Sequence, residues 1–200
     1  DGVTHHGVFD MAAFGAVPGL TIAAPMNEPE LRNMMYTALG SGHPFMIRYP
    51  RGHGEGLPWR GEKFETLPVG RGRRLREGAD VALLTVGTVG NAAARAAGRA
   101  AAEGVSVAHY DLRFVKPLDE ALLDEVGRKF RRVVTVEDGS LRGGVGEAVA
   151  AFFNGRGYDV RVQRLGIGDE WVEHGTPGQL YALCGYDEEG ILRALLDTRA

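Results

Sequence analysis

The chain has 200 residues, 44% hydrophobic and 24% charged, with a formal net charge of −3. That balance suits a soluble globular protein of one large domain or one and a half ordinary ones, and it argues against nucleic acid as a partner. The single cysteine, Cys184, excludes an internal disulfide and a cysteine-based metal cluster, and no apolar run approaches the length of a membrane span, since Arg95 and Arg99 break the alanine-rich stretch 92–102. No secretory leader is visible in a chain without its own initiator methionine, and a reducing cytoplasm is the expected setting.

After an opening loop, DGVTHHG, the stretch FDMAAFGAVPG reads as a short helix ended by Pro18 and Gly19. LTIAAP over 20–25 is continuously apolar, as strands covered on both faces are. Asn27 is positioned to cap the next helix, whose inner face is read as Leu31, Met34, Met35, Ala38 and Leu39, with Glu30 beside it. PFMIRYP over 44–50 is then a second strand. This β-α-β rhythm with tight connections predicts a parallel sheet. Two strands and two short helices cannot bury a core by themselves. The first sixty residues therefore read as the last part of a larger α/β domain, and the chain as a fragment.

Residues 52–78 mix glycine, proline and charge in the manner of a connection. The expected division is 1–58 for the first unit, 59–78 for a linker and 79–200 for a second unit. That second unit alternates again: strand ADVALLTVG, helix NAAARAAGRAAAEG, strand VSVAHYDL, a helix from Pro117 to Lys129, strand RRVVTVE, helix GGVGEAVAAFFNGRG, strand YDVRVQRLGI and a closing helix GILRALLD. Four strands interleaved with helices make a small α/β domain. The arginine clusters at 71–76 and 128–132 read as solvated faces at element ends.

Four stretches carry chemical interest. In DGVTHHG the adjacent His5 and His6 point to opposite sides of an extended chain, which makes them a poor metal site. One imidazole aimed at a substrate, able to exchange a proton near neutral pH, is the functional reading, and a structural histidine in a turn is the alternative. MIRYPRG places Arg51 just past the carboxyl end of a strand, where open α/β sheets bind ligands; a guanidinium there is a natural fork for a phosphate or carboxylate, and a surface salt bridge is the alternative. Arg48, earlier on the same strand end, either shares that site or pairs with an acid. VGTVGNA and EDGSLRGGVGEA each lead from a strand into a helix without matching a dinucleotide or P-loop pattern, so packing glycines and helix starts are the reading. Glu137 and Asp138 at a strand end suit capping or an interface, His174 a helix start, and Cys184 a buried thiol.

Taken in order, DGVTHHGVFD, AVPGLTIAAPMNEPELRNMMYTAL, MIRYPRG, DLRFVKPLDEALL, VVTVED, RGGVGEAV and GIGDEWVEHGTPGQLYALCGYDEEGI resemble the 1-deoxy-D-xylulose-5-phosphate synthases. These are thiamine-diphosphate enzymes related to transketolase and the pyruvate dehydrogenase beta subunit. The resemblance implies the end of a parallel-sheet pyrimidine-binding domain followed by a smaller α/β domain of the transketolase C-terminal kind, in a homodimer. It implies condensation of pyruvate with D-glyceraldehyde 3-phosphate, releasing carbon dioxide and giving a product that feeds isoprenoid and thiamine precursors. Asp1 and Arg51 are implied as acceptor-binding residues and His5 as the catalytic imidazole at the aldehyde, while His6 stands where relatives often carry glutamine. Thiamine diphosphate and magnesium are implied cofactors, with their binding residues upstream of residue 1 and none in this segment. Ketol transfer between sugar phosphates, a function like that of the pyruvate dehydrogenase beta subunit, or a mainly structural and dimerising role for 79–200 are the competing expectations.

Overall fold

The computed structural model describes residues 2–61 and 63–197. A 3-10 turn, Val3–His5, leads into helix α1, Asp10–Gly15, and strand β1, Thr21–Ala23, whose three residues are all buried. Helix α2, Glu28–Gly40, starts at Asn27, whose side chain accepts from Glu30 N as a capping residue should, with Pro29 in the first turn. Strand β2, Phe45–Ile47, lies parallel to β1 in the register Thr21 to Phe45.

The small first sheet is completed from an unexpected place. Strand β6, Phe114–Lys116, pairs antiparallel with the other edge of β1, giving the order β2-β1-β6. Phe114 contributes its buried ring to a core of Ala23, Met34 and Leu67, with Phe45 and Ile47 against it. The apolar surface that two strands could not cover alone is thus covered by the second half of the chain.

The second sheet has the order β3-β5-β4-β7-β8. Strands β4 (Val81–Val86), β5 (Val107–Asp111), β7 (Arg132–Ser140) and β8 (Arg161–Ile167) are parallel, and β3 (Arg73–Arg76) runs antiparallel on the β5 edge. Since β3 lies inside 59–78, the connection read from composition is shorter than expected and runs into the sheet. The arginines of this edge are mostly paired: Arg73 with Glu30 and Asp111, Arg74 with Glu77 and Glu125.

Side chains of β4 divide by the two-residue period of a strand. Val81 and Leu83 join the core under α3 (Val89–Ala102) and α7 (Glu188–Leu196). Ala82, Leu84 and Val86 join the opposite core under α4 (Glu120–Lys129) and α5 (Val145–Gly155). Burying each of the valines and leucines stabilises the fold by about 1.5–3 kcal/mol. The buried stripe of α3 is Val89, Ala93, Ala96, Ala97 and Ala100, and these small residues let the helix lie close on the sheet. Arg95 and Arg99, on its outer side, reach Glu188 and Glu189 of α7.

Helix α2 departs from the expected orientation. Its buried residues are Glu30, Asn33, Met34 and Thr37, whereas Met35 is exposed and Leu39 is 88% exposed. The polar inward residues have work there. Asn33 Oδ1 accepts from Glu65 N at 3.2 Å, Thr37 Oγ1 accepts from Leu67 N at 2.8 Å, and Glu30 receives Arg113 Nε at 2.7 Å and Arg73 Nη1 at 2.8 Å. Backbone donors and guanidiniums outrank the apolar pattern because an unpaired buried polar group costs more than an exposed leucine.

Candidate functional site

The carboxyl ends of β2, β7 and β8 face a common hollow, the place where open parallel sheets receive ligands. This cavity of about 340 Å³ is lined from the first half by His5, His6, Gly7, Val8, Asp10 and the run Arg48 to Arg51. From the second half come Asp138, Ile167, Val172 and, around the short helix α6 (Pro177–Leu183), Pro177, Leu180, Tyr181, Cys184 and Tyr186. A larger hollow of about 660 Å³, reaching toward the starts of α2 and α3, shares Tyr49, Pro50, Arg51, Pro177, Tyr181 and Tyr186 with it.

His5 and Arg51 therefore sit on one cavity although 46 residues separate them in sequence. Both are exposed. The Nδ1 of His5 lies 2.8 Å from Thr4 Oγ1, so Nε2 is the nitrogen left to meet a ligand. His6 lines the same cavity, but its Nε2 meets Val172 O at 2.8 Å and its ring packs with Phe9 and Trp171. It is a tether for the loop. Gly2, at φ 76°, brings the backbone against His174, where an added Cβ would lie 2.1 Å from the imidazole. Asp1 lies outside the described residues.

Part of the cavity wall is a polar network that the sequence left open. The Arg48 side chain is 9% exposed and that of Asp138 is 8% exposed. The guanidinium of Arg48 donates to Asp10 Oδ2 at 3.3 Å, meets Asp138 Oδ2 at 3.1 Å and donates to Asp138 O at 2.6 Å. Asp138 in turn accepts from Tyr186 Oη at 2.9 Å and Tyr181 Oη at 3.5 Å. Burial pulls the Arg48 pKa down, but Asp138 and Asp10 more than offset it, so the group is held firmly cationic. Burial pushes the Tyr181 phenol up to about 12, with the Asp138 charge adding to it, and pushes Tyr186 up for the same reasons. Both phenols stay protonated donors at neutral pH. Burial also raises the Cys184 thiol, which argues against a thiolate nucleophile.

Of the two glycine-rich helix starts, the one at α5 is filled by the chain itself. Glu137 Oε2 and Oε1 already accept from Val145 N and Gly146 N, each at 2.8 Å. The carboxylate of the chain itself occupies the place where a phosphate would sit. Burial raises the Glu137 pKa in spite of those donors. Among the described residues no group of three or more His, Cys, Asp or Glu is disposed to hold a metal ion, and no helix is long and apolar enough to cross a membrane. What the site offers is an imidazole and a guanidinium on the rim, a wall of aromatic and aliphatic side chains, and a second guanidinium, Arg48, held between two carboxylates.

Asp138, Tyr181 and Tyr186 were not legible as site residues, since they lie about 90 positions or more beyond Arg48. The acid pair Glu137-Asp138 at a strand end was the available signal; it divides between capping, by Glu137, and the arginine, by Asp138.

Comparison with known proteins agrees with this architecture. Residues 1–55 match the transketolase pyrimidine-binding domain, and residues 70–191 match the transketolase C-terminal domain. The 1-deoxy-D-xylulose-5-phosphate synthase of Bacteroides fragilis is 55% identical over all of this chain, and that of Bacteroides thetaiotaomicron 54% identical over 98% of it. The chain spans about a third of these relatives, 31% and 30% of their lengths respectively. A similar solved structure is a split-gene transketolase described as an inactive beta4 tetramer, with a TM-score of 0.81 and 27% identity over 96% of this chain and 61% of its own. The chain belongs to the transketolase family, with its pyrimidine-binding and C-terminal domains represented in that order.

Proposed function

We propose that this chain is the acceptor-handling part of a 1-deoxy-D-xylulose-5-phosphate synthase, a transferase that condenses pyruvate with D-glyceraldehyde 3-phosphate and releases carbon dioxide. The observation that carries the reading is that His5 and Arg51 line one cavity at the carboxyl edge of the sheets. Arg51 grips the phosphate of the acceptor through charge-assisted hydrogen bonds. His5 hydrogen-bonds the aldehyde oxygen and gives it a proton as the new carbon–carbon bond forms, a role typically worth about 10²–10⁴ in rate. Asp1 helps to hold the acceptor hydroxyls.

The donor chemistry is that of thiamine diphosphate with magnesium, held on this reading by residues upstream of residue 1, while within this chain Glu137 occupies the start of α5. A homodimer in the cytoplasm goes with the same reading.

In the full-length enzyme, Arg51→Ala raises the KM for glyceraldehyde phosphate tenfold or more, the loss of a hydrogen bond to a charged group being worth about 1.5–3 kcal/mol, and leaves the KM for pyruvate within about twofold. An equal rise for both substrates would remove the phosphate role. His5→Ala slows turnover while thiamine diphosphate binding stays nearly intact. Carbon dioxide release from pyruvate that depends on the acceptor separates this reaction from ketol transfer.

A further inference from the structure

We propose that Arg48 and Asp138 form a positioning pair, through which the second half of the chain aligns both reactive ends of the cavity, the guanidinium of Arg51 and the imidazole loop of His5. The inference rests on the acceptor reading given above.

One buried guanidinium reaches in two directions. Toward the opening segment it holds Asp10 Oδ2 at 3.3 Å, and Asp10 Oδ1 accepts from Met11 N at 2.7 Å, which fixes the start of α1 five residues after His5. Toward the second sheet it holds the carboxylate and the backbone carbonyl of Asp138. Its own backbone N–H is bonded to Ala23 O at 2.8 Å, so the main chain leaving β2 is anchored three residues before Arg51. Ser140 N also donates to Val8 O at 3.1 Å, a second tie between the loop and β7.

Asp138 is in turn fixed from the far side by the Tyr186 hydroxyl at 2.9 Å. Each member has its position set by groups on a different element. Pro50 stiffens the link between Arg48 and Arg51 by restricting its own φ. A shift at Arg48 is therefore transmitted to Arg51 along the chain and to the His5 loop through Asp10. Neither Arg48 nor Asp138 needs to touch substrate for this.

The test uses the full-length enzyme and the ratio of kcat/KM for D-glyceraldehyde 3-phosphate over that for unphosphorylated D-glyceraldehyde, measured for wild type, Arg51→Ala, Asp138→Asn and the double variant. Asp138→Asn keeps the shape and the backbone acceptor of Asp138 but removes the charge that orients Arg48. It lowers the ratio about tenfold, since displacements near 1 Å carry rate penalties up to about 10²-fold. On the Arg51→Ala background it lowers the ratio by less than about twofold, because two variants acting through one contact do not add.

Arg48→Lys keeps a cation but cannot span Asp10 and Asp138 together, and it lowers the ratio in the same direction, which covers the case of poor folding by the first variant. A ratio unchanged in Asp138→Asn and Arg48→Lys, with only the melting temperature lowered, would make the pair purely structural and overturn the proposal while leaving the acceptor reading standing. An unchanged ratio in Arg51→Ala would overturn both.

Discussion

His109 gives a pH dependence whose sign and size follow from its surroundings. It lies on β5, is buried, and has its Nε2 2.9 Å from Thr85 Oγ1. Burial first, then the nearby charges of Arg73 and Arg76, lower its pKa from 6.5 to about 4. The unfolded chain binds a proton on this imidazole below pH 6.5 while the folded protein does not, so stability is complete above that pH and drains away as the pH falls toward 4. The interval between those values corresponds, at about 1.4 kcal/mol per pH unit, to about 3 kcal/mol.

Two residues along the strand, Asp111 is raised from 3.8 to about 6 by burial against the partial compensation of Arg73. Its sign is opposite: the folded protein keeps a proton that the unfolded chain has released, and stability falls by a similar amount as the pH rises from 4 to 6. In the wild type the two groups offset each other across the same window. His109→Gln removes one of them. Urea unfolding followed by circular dichroism at pH 4.5 and 7.5 then shows a wild-type advantage over the variant that is larger at pH 7.5 by about 2–3 kcal/mol. An advantage equal at both pH values would mean that the buried imidazole titrates normally, and the reasoning would fail.

Other perturbations test the architecture that carries the site. Glu137→Ala leaves Val145 N and Gly146 N without their carboxylate at the start of α5, and costs about 3 kcal/mol of unfolding free energy by chemical denaturation; a loss below about 1 kcal/mol would mean that water replaces the cap without strain. Gly78→Ala drives a Cβ to 2.1 Å from Ala108 N and Val107 C. Backbone cannot yield cheaply there, so the variant loses about 3 kcal/mol or more, and a melting curve matching the wild type would contradict the close approach of the chain before β4 to β5.

Elements fixed by local signals were readable in advance. Asn27 caps α2, ADVALLTVG holds a strand over Val81–Val86, and NAAARAAGRAAAEG holds the helix α3, as their local patterns predict. Elements fixed by distant partners were not. Strand β6 has three residues and pairs with β1, some 90 positions away, so its existence depends on a neighbour that no local pattern announces. Strand β3 reads as connection because its arginines are neither apolar nor alternating; Glu30 and Asp111 make it an edge strand by pairing with Arg73. The inward face of α2 was misread because Asn33 and Thr37 bind the backbone of 65 and 67, a tertiary demand that overrides the apolar stripe. In the same way, motif reading reached His5 and Arg51, while Asp138, Tyr181 and Tyr186 came to view only once the sheet ends were brought together.

The most direct measurement is a crystal structure of the full-length enzyme with D-glyceraldehyde 3-phosphate bound. The phosphate should lie within hydrogen-bonding distance of Arg51, with the aldehyde oxygen turned toward Nε2 of His5. A phosphate held elsewhere, with Arg51 and His5 both clear of the ligand, would contradict the acceptor cavity.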